Sequence, residues 1–208
     1  MIQYPAFIDQ EEDQRLKAAL AAVQVRHGVE RVPDARIRPL VRILDGFEVF
    51  RGCHAVWLVD AWDVGAPAAA LCALQVDTEY STGKHKHVSR DSTVVGLLRL
   101  PVDAGRAVIR PETISDKLAE LLGAREIDFA ENPAFSRRYH VLASDEPTFR
   151  RLLVPPALTV LAGERDLHLE FAGRNALIHR PGEITPERAA ALADVAVALA
   201  GALRQEKP

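Results

Sequence analysis

The stretch LHLEFAGRNALIH, residues 167–179, carries the clearest local signal of fold in this chain. Leu167, Leu169 and Phe171 alternate with other residues, as expected of a strand with one buried face. Gly173-Arg174 can form a tight turn, and an apolar segment returns after it at residues 176–179. The pattern predicts a β-hairpin.

Two histidines lie in opposite arms of that hairpin. His168 is in the first arm and His179 is in the second, so the two rings can meet across the strand pair. We interpret them as a pair contact rather than a metal site, because two ligands alone bind a metal weakly.

Upstream of the hairpin, the chain alternates short apolar segments with turn residues, which favours an antiparallel meander over βαβ units. Val56–Val59 is apolar at every position and is predicted to be a central strand, buried on both faces. The expected strands are 47–50, 54–62, 69–77, 92–100, 106–110, 126–129 and 138–143.

Helical periodicity appears near both ends of the chain and between the later strands. Residues 32–39, with two prolines and two arginines, are predicted to be a connector. The expected helices are 11–25, one capped by Thr113 or Ser115 and running to Leu122, 144–153, 158–162, and a final helix that begins at Thr185. Leu192, Val195 and Leu199 of this last helix should face the core.

These patterns predict one α+β domain over residues 1–208. Its mostly antiparallel β-sheet should have about six to eight strands, with flanking helices. Residues 1–30 are expected to form an N-terminal helical arm.

Composition narrows the classes of partner. The 208 residues carry a net charge of −3, so there is no basic excess for nucleic acid. No apolar run approaches the roughly 20 residues that a membrane span requires. Cys53 and Cys72 are outside any CxxC spacing and are expected to be reduced, and no signal peptide is visible, so we expect a cytoplasmic protein.

No common catalytic motif is present: the sequence has no phosphate-binding glycine loop, GxSxG elbow, HExxH or dinucleotide fingerprint. Scattered residues could still act together, and the candidates for acid–base catalysis are His140 with Asp145 or Asp128. His85 and His87, in Lys84-His85-Lys86-His87, are metal-ligand candidates, although an exposed hairpin loop is the simpler interpretation. No cofactor is expected.

Several short motifs carry a resemblance to a family. They are Leu100-Pro101, Arg110-Pro111-Glu112, the segment IDF at 127–129, PAFSRRY at 133–139, and 150–153. In this order they resemble a widespread bacterial family, a domain of unknown function with an "IDF…P.FSRRY" motif. The resemblance covers roughly residues 46 to 203. It implies a shared fold and brings no activity, cofactor or catalytic residue with it.

Two hypotheses about function follow. The first is a non-catalytic binding or scaffolding domain, with a protein partner or a second copy of the chain, because structural patterning is strong and catalytic motifs are absent. The helices favour self-association if one apolar stripe is wider than its own core needs. The alternative is a small-molecule hydrolase that uses scattered residues. A deep cleft with converging His and Asp side chains would favour the second hypothesis.

Overall fold

All ten strands of the described residues belong to a single mixed sheet. The computed structural model describes residues 2–3, 10–65, 68–82, 85–111 and 125–204. The strands are β1 (Ile2–Gln3), β2 (Glu30–Arg31), β3 (Ala55–Gly65), β4 (Ala69–Thr82), β5 (His85–Arg99), β6 (Arg106–Pro111), β7 (Arg125–Glu126), β8 (Tyr139–Ala143), β9 (His168–Ala172) and β10 (Asn175–His179). Their order in the sheet is β1-β3-β4-β5-β10-β9-β6-β8-β7, and β2 pairs with β3.

The neighbouring strands pair antiparallel, except that β1 runs parallel to β3. The α-helices of the described residues are α1 (Gln10–His27), α2 (Asp34–Leu44), α3 (Pro133–Ser136), α4 (Glu146–Leu152), α5 (Pro155–Gly163) and α6 (Pro186–Ala202). This architecture confirms the predicted α+β class and the mostly antiparallel sheet. None of these helices has the length and apolarity needed to cross a bilayer.

Different helices pack on the two faces of the sheet. On one face, side chains such as Phe171 and Ile178 join the larger apolar cluster with residues of α1, α4, α5 and α6. On the other face, Leu177 and Leu97 join a smaller cluster with Ile37, Leu40 and Leu44 of α2. We call this second side the α2 face. Successive residues of a strand point to opposite faces, so every strand residue can be assigned to one face of the sheet or the other.

The hairpin at 167–179 forms as predicted. Asn175–His179 pairs with His168–Ala172, and Gly173 adopts a positive φ of 58° in the turn between them. The final helix is also confirmed, with its cap: the Thr185 hydroxyl accepts a hydrogen bond from the Arg188 amide at 3.3 Å. Its predicted core residues Leu192, Val195 and Leu199 are all buried.

Other sequence predictions are wrong. The connector predicted at 32–39 is instead the start of α2, which contains Pro39 in its interior and buries one apolar stripe. The strand predicted at 47–50 is a 3-10 turn, Glu48–Phe50. The helix predicted after Thr113 lies outside the described residues.

The β4–β5 hairpin is much longer than the sequence indicates. The predicted strands 69–77 and 92–100 extend toward each other, and their ladder continues to the pair Thr82 and His85. The loop predicted at 84–87 is therefore wrong for residues 85–87, which belong to β5, whereas the predicted exposure is confirmed for Lys86 and His87. The α1 helix, expected in an N-terminal arm, packs its Leu16, Ala19 and Val23 into the larger cluster.

Candidate functional site

The β5 strand changes its surroundings halfway along. On one side it pairs with β4 from His85 to Leu98. On the other side β10 pairs with it only from Val95 to Arg99. Among the described residues, no strand pairs with the segment from His85 to Thr93 on that second side. We call this segment the open edge, because a strand without a neighbour presents a row of backbone N–H and C=O groups.

A groove of about 560 Å³ lies at the end of this edge that is nearer to β10. Its walls are Asp91, Ser92 and Thr93 of the open edge, Glu12 and Arg15 of α1, and residues 182–184 after β10. The only cation among these groups, Arg15, is held by Glu11 at 2.6 Å and Glu183 at 3.2 Å. The described lining is therefore acidic and favours a cationic occupant.

The hairpin that carries the open edge is charged and exposed. On one face, the His87 ring stacks on Tyr80 with the ring centroids 5.4 Å apart. On the other face, Lys86 forms an ion pair with Glu79 at 2.7 Å. Hydrogen bonding to Lys86 lowers the pKa of Glu79, as expected for a carboxylate beside an ammonium group.

The metal candidates His85 and His87 lie in β5. The His85 side chain is outside what the structure describes, and His87 is exposed. Within the described part of the chain, no three His, Cys, Asp or Glu side chains converge closely enough to bind a metal ion.

A second polar feature lies at one end of the sheet, on the α2 face. His140 of β8 is opposite Arg110 of β6, and His179 of β10 is opposite His168 of β9. The pairing of Ile109 with Leu169 makes Arg110 the neighbour of His168. These four residues, His140, Arg110, His168 and His179, form one row across four adjacent strands, which we call the basic row.

The two inner histidines of the basic row contact each other, as the sequence predicts, with ring centroids 4.7 Å apart. Desolvation by burial lowers the pKa of His168 to about 3, helped by the charges of His179 and Arg110. The same desolvation lowers the pKa of His179 to about 4. Both rings are therefore neutral at pH 7.

The catalytic candidates do not form one constellation. His140 Nδ1 lies 3.0 Å from Glu126 Oε1, so its carboxylate partner is neither Asp145 nor Asp128. Asp145 instead caps α4 by accepting a hydrogen bond from the Thr148 amide at 3.1 Å, and hydrogen bonds from Thr148 lower its pKa. Asp128 is exposed in the segment that follows β7.

Sequence reasoning missed Glu126 and Arg110. Arg110 is 1 % exposed, which is rare for arginine. Its position at the end of a predicted strand carried no signal of burial. The position of Arg110 on the α2 face follows from the strand register, which the sequence alone does not supply.

Cys53 and Cys72 are free thiols, as expected. Burial raises the pKa of Cys72 to about 12, so this thiol is a poor nucleophile.

Comparisons with known proteins returned no matching family model, no matching curated protein and no matching solved structure.

Proposed function

We propose that this chain is a non-catalytic binding domain that self-associates through the open edge of β5, and that its partner strand is the same segment of a second copy. The observation that supports this most is the edge at His85–Thr93, with which no strand of the described residues pairs on the side away from β4. Adding a strand to such an edge is a common way for two chains to bind.

The edge is self-complementary in one register. Its midpoint is Ser89, and a two-fold axis through Ser89, perpendicular to the sheet, brings two open edges together antiparallel. His87 then lies opposite Asp91 of the second copy, and Asp91 lies opposite the second copy's His87. An imidazole facing a carboxylate favours pairing, and the symmetry supplies this contact twice.

Neighbouring registers are unfavourable. A two-fold axis perpendicular to the sheet keeps each side chain on the same face of the sheet. Moving this axis by one residue along β5 therefore shifts the pairing of the two strands by two positions. An axis through Val88 places Lys86 opposite Arg90 of the second copy. An axis through Arg90 places that guanidinium opposite its own copy. Like charges directly opposite one another destabilise a strand pair, so the Ser89 register is favoured among the three.

The groove fits the same arrangement. In the Ser89 register, Lys86 of the second copy lies opposite Ser92, on the face where Gln75 donates to Glu12 at 3.4 Å. That ammonium group therefore approaches the acidic groove walls formed by Glu12 and Glu183. Charge complementarity thus favours a second copy over an acidic or apolar strand as the occupant.

The opposing interpretation is that the charged side chains prevent the edge from pairing with another strand. Lysine and arginine on an edge strand commonly prevent unwanted pairing, and both occur here at Lys86 and Arg90. If the charges prevent pairing, the protein should be a monomer at every concentration, so the association state distinguishes the two interpretations.

A charge exchange tests the proposal. His87→Asp sets a carboxylate against Asp91 of the second copy, and it should weaken dimerisation about tenfold or more, because two like-charge contacts are created. Combining it with Asp91→Arg restores opposite charges and should recover dimerisation. Sedimentation velocity over a concentration series measures both, with circular dichroism to check folding.

Asp128→Arg is the matched control, since it makes the same charge change as Asp91→Arg at an exposed site away from β5. It should leave the dimer unchanged. A wild-type protein that stays monomeric throughout the series would overturn the proposal. So would equal weakening by His87→Asp alone and by the double variant.

One contact favours the hydrolase hypothesis as a second candidate. His140 is oriented by Glu126 at 3.0 Å, as a general base is commonly oriented by a carboxylate. Among the described contacts of His140 there is no hydroxyl or thiol nucleophile. Turnover in a broad hydrolase screen, abolished by His140→Ala in a protein that still folds, would establish this candidate; retained turnover in that variant would end it.

A further inference from the structure

We infer that Glu183 is the residue that receives Lys86 of the second copy, and that Arg15 of the same chain competes with that lysine for the carboxylate. The inference rests on the proposed self-association and adds a contact that regulates it. In the single chain, Arg15 lies 3.2 Å from Glu183 and therefore holds the group that the second copy requires. The contact between Arg15 and Glu183 is thus autoinhibitory.

The segment that follows β10 forms one wall of the groove, beside the place where the second copy's strand would end. β10 pairs with β5 only as far as Val95. Gly182 then has a positive φ of 115°, so the backbone departs from the extended direction of the strand. Residues 182–184 line the groove together with Ser92 and Thr93 of the open edge.

The proposed register brings a lysine to this groove. Lys86 of the second copy lies opposite Ser92, and Ser92 is on the same face of the sheet as Gln75, its partner in β4. Gln75 donates a hydrogen bond to Glu12 of α1 at 3.4 Å, so the α1 wall of the groove is on this face as well. The lysine side chain therefore approaches the groove from the open edge.

Of the three acidic residues in the groove wall, Glu183 is the best acceptor. Asp91 alternates with Ser92 along β5, so its side chain points to the opposite face. Glu12 accepts the amide of Gln75, which is 1 % exposed, and loss of this bond would leave a buried donor unsatisfied. The side chain of Glu183 is 73 % exposed, so it can change its partner at little cost.

An exchange of ion pairs leaves the displaced groups with described partners. Arg15 also lies 2.6 Å from Glu11, and it keeps this partner when the second copy's lysine takes the other carboxylate. Lys86 leaves Glu79, its partner at 2.7 Å, and Glu79 retains the His54 ring at 3.7 Å. Exposed ion pairs each contribute little to stability, so the balance between the two arrangements is easily shifted.

Removal of the competing charge tests the inference. Arg15→Gln should lower the Kd of the dimer about three- to fivefold, because it makes Glu183 available at both symmetric contacts. This strengthening should disappear in the Glu183→Gln background, since no carboxylate is then left to compete for. Sedimentation velocity over a concentration series measures the Kd values, and circular dichroism checks that each variant is folded.

Lys17→Gln is the matched control. It removes one positive charge from the same helix, where Lys17 pairs with Asp13 at 2.5 Å, and it should leave the Kd unchanged. The inference is overturned if Arg15→Gln leaves the dimer unchanged or weakens it. It is also overturned if the strengthening persists in the Glu183→Gln background, or if Lys17→Gln strengthens the dimer equally. If neither the wild type nor any variant dimerises, the self-association itself is contradicted.

Discussion

The two halves of β5 belong to one continuous strand and share one neighbour, β4, yet they differ in almost every other respect. From Val94 to Leu98 the side chains are buried, and β10 pairs with the strand from Val95 onward. From Lys86 to Asp91 nearly every residue is exposed and most are polar or charged. The composition of the strand therefore changes close to the point where its second neighbour ends.

The two halves of β5 therefore have different roles, one in the stability of the fold and the other in the proposed association. The closed half holds the fold together, because its side chains contact helices on one face and α2 on the other. The open half contributes few apolar contacts, and no strand of the described residues pairs with its outer edge, as the proposed self-association requires. Stability should therefore depend on the closed half, and association should depend on the open half.

The largest expected effect is a truncation in the closed half. Leu98 is 1 % exposed within the larger apolar cluster. Leu98→Ala should lower the free energy of unfolding by about 2–5 kcal/mol, because it removes buried methyl groups and leaves a cavity. Urea denaturation of dilute protein measures this. A midpoint equal to that of the wild type would contradict the assignment of the closed half to the core.

A pH effect of intermediate size is expected from the histidine pair, which is buried beside the closed half. Both pKa values lie below the ordinary 6.5, so the unfolded chain binds protons that the folded chain does not. Stability should be full above pH 6.5 and fall as the pH drops toward about 4, by up to about 1.4 kcal/mol per pH unit for each histidine. Arg110 on the neighbouring strand acts in the same direction on His168.

Denaturation midpoints at several pH values measure this dependence. The other ionisable groups on that face are His140, Glu126 and Glu170, and burial raises the pKa of Glu170, so protonation of this carboxyl opposes part of the histidine effect as the pH falls. The double variant His168→Gln with His179→Gln should therefore lose most, but not all, of the slope. His54→Gln should retain it, and an unchanged slope in the double variant would refute the buried, neutral state of the pair.

The smallest expected effect comes from the open half itself. Val88 is 52 % exposed. Val88→Ala should change the unfolding free energy of dilute protein by less than about 0.5 kcal/mol, as at ordinary surface sites. A loss comparable to that of Leu98→Ala would erase the distinction between the halves and indicate that the hairpin is covered in the monomer.

Much of the closed region could be predicted from the sequence. The hairpin at 168–179 follows from alternation around Gly173-Arg174, and the His168–His179 contact follows from that register. The final helix follows from its cap at Thr185 and the buried stripe that includes Leu199. These elements are strongly patterned because their side chains pack against a core.

The parts that escaped prediction lack that pattern. The α2 helix was missed because Pro33 and Pro39 suggest a connector, although Pro39 is accommodated inside the helix. The extension of β4 and β5 was missed because Thr78–Arg90 has little apolar alternation, and the backbone ladder between the strands maintains it. The open edge and the basic row depend on which strands are adjacent, and this long-range information is absent from local periodicity.

The self-pairing register is tested most directly by a cysteine at its axis. In the proposed dimer, Ser89 lies opposite its own copy, with Cβ atoms about 4.5–5.5 Å apart, close to the distance a disulfide requires. Mild oxidation of Ser89→Cys should give a cross-linked dimer on non-reducing gels. Val88→Cys should cross-link far less, because residue 88 faces residue 90 of the second copy. Equal cross-linking of both variants, or none for Ser89→Cys, would contradict pairing of the open edge about Ser89.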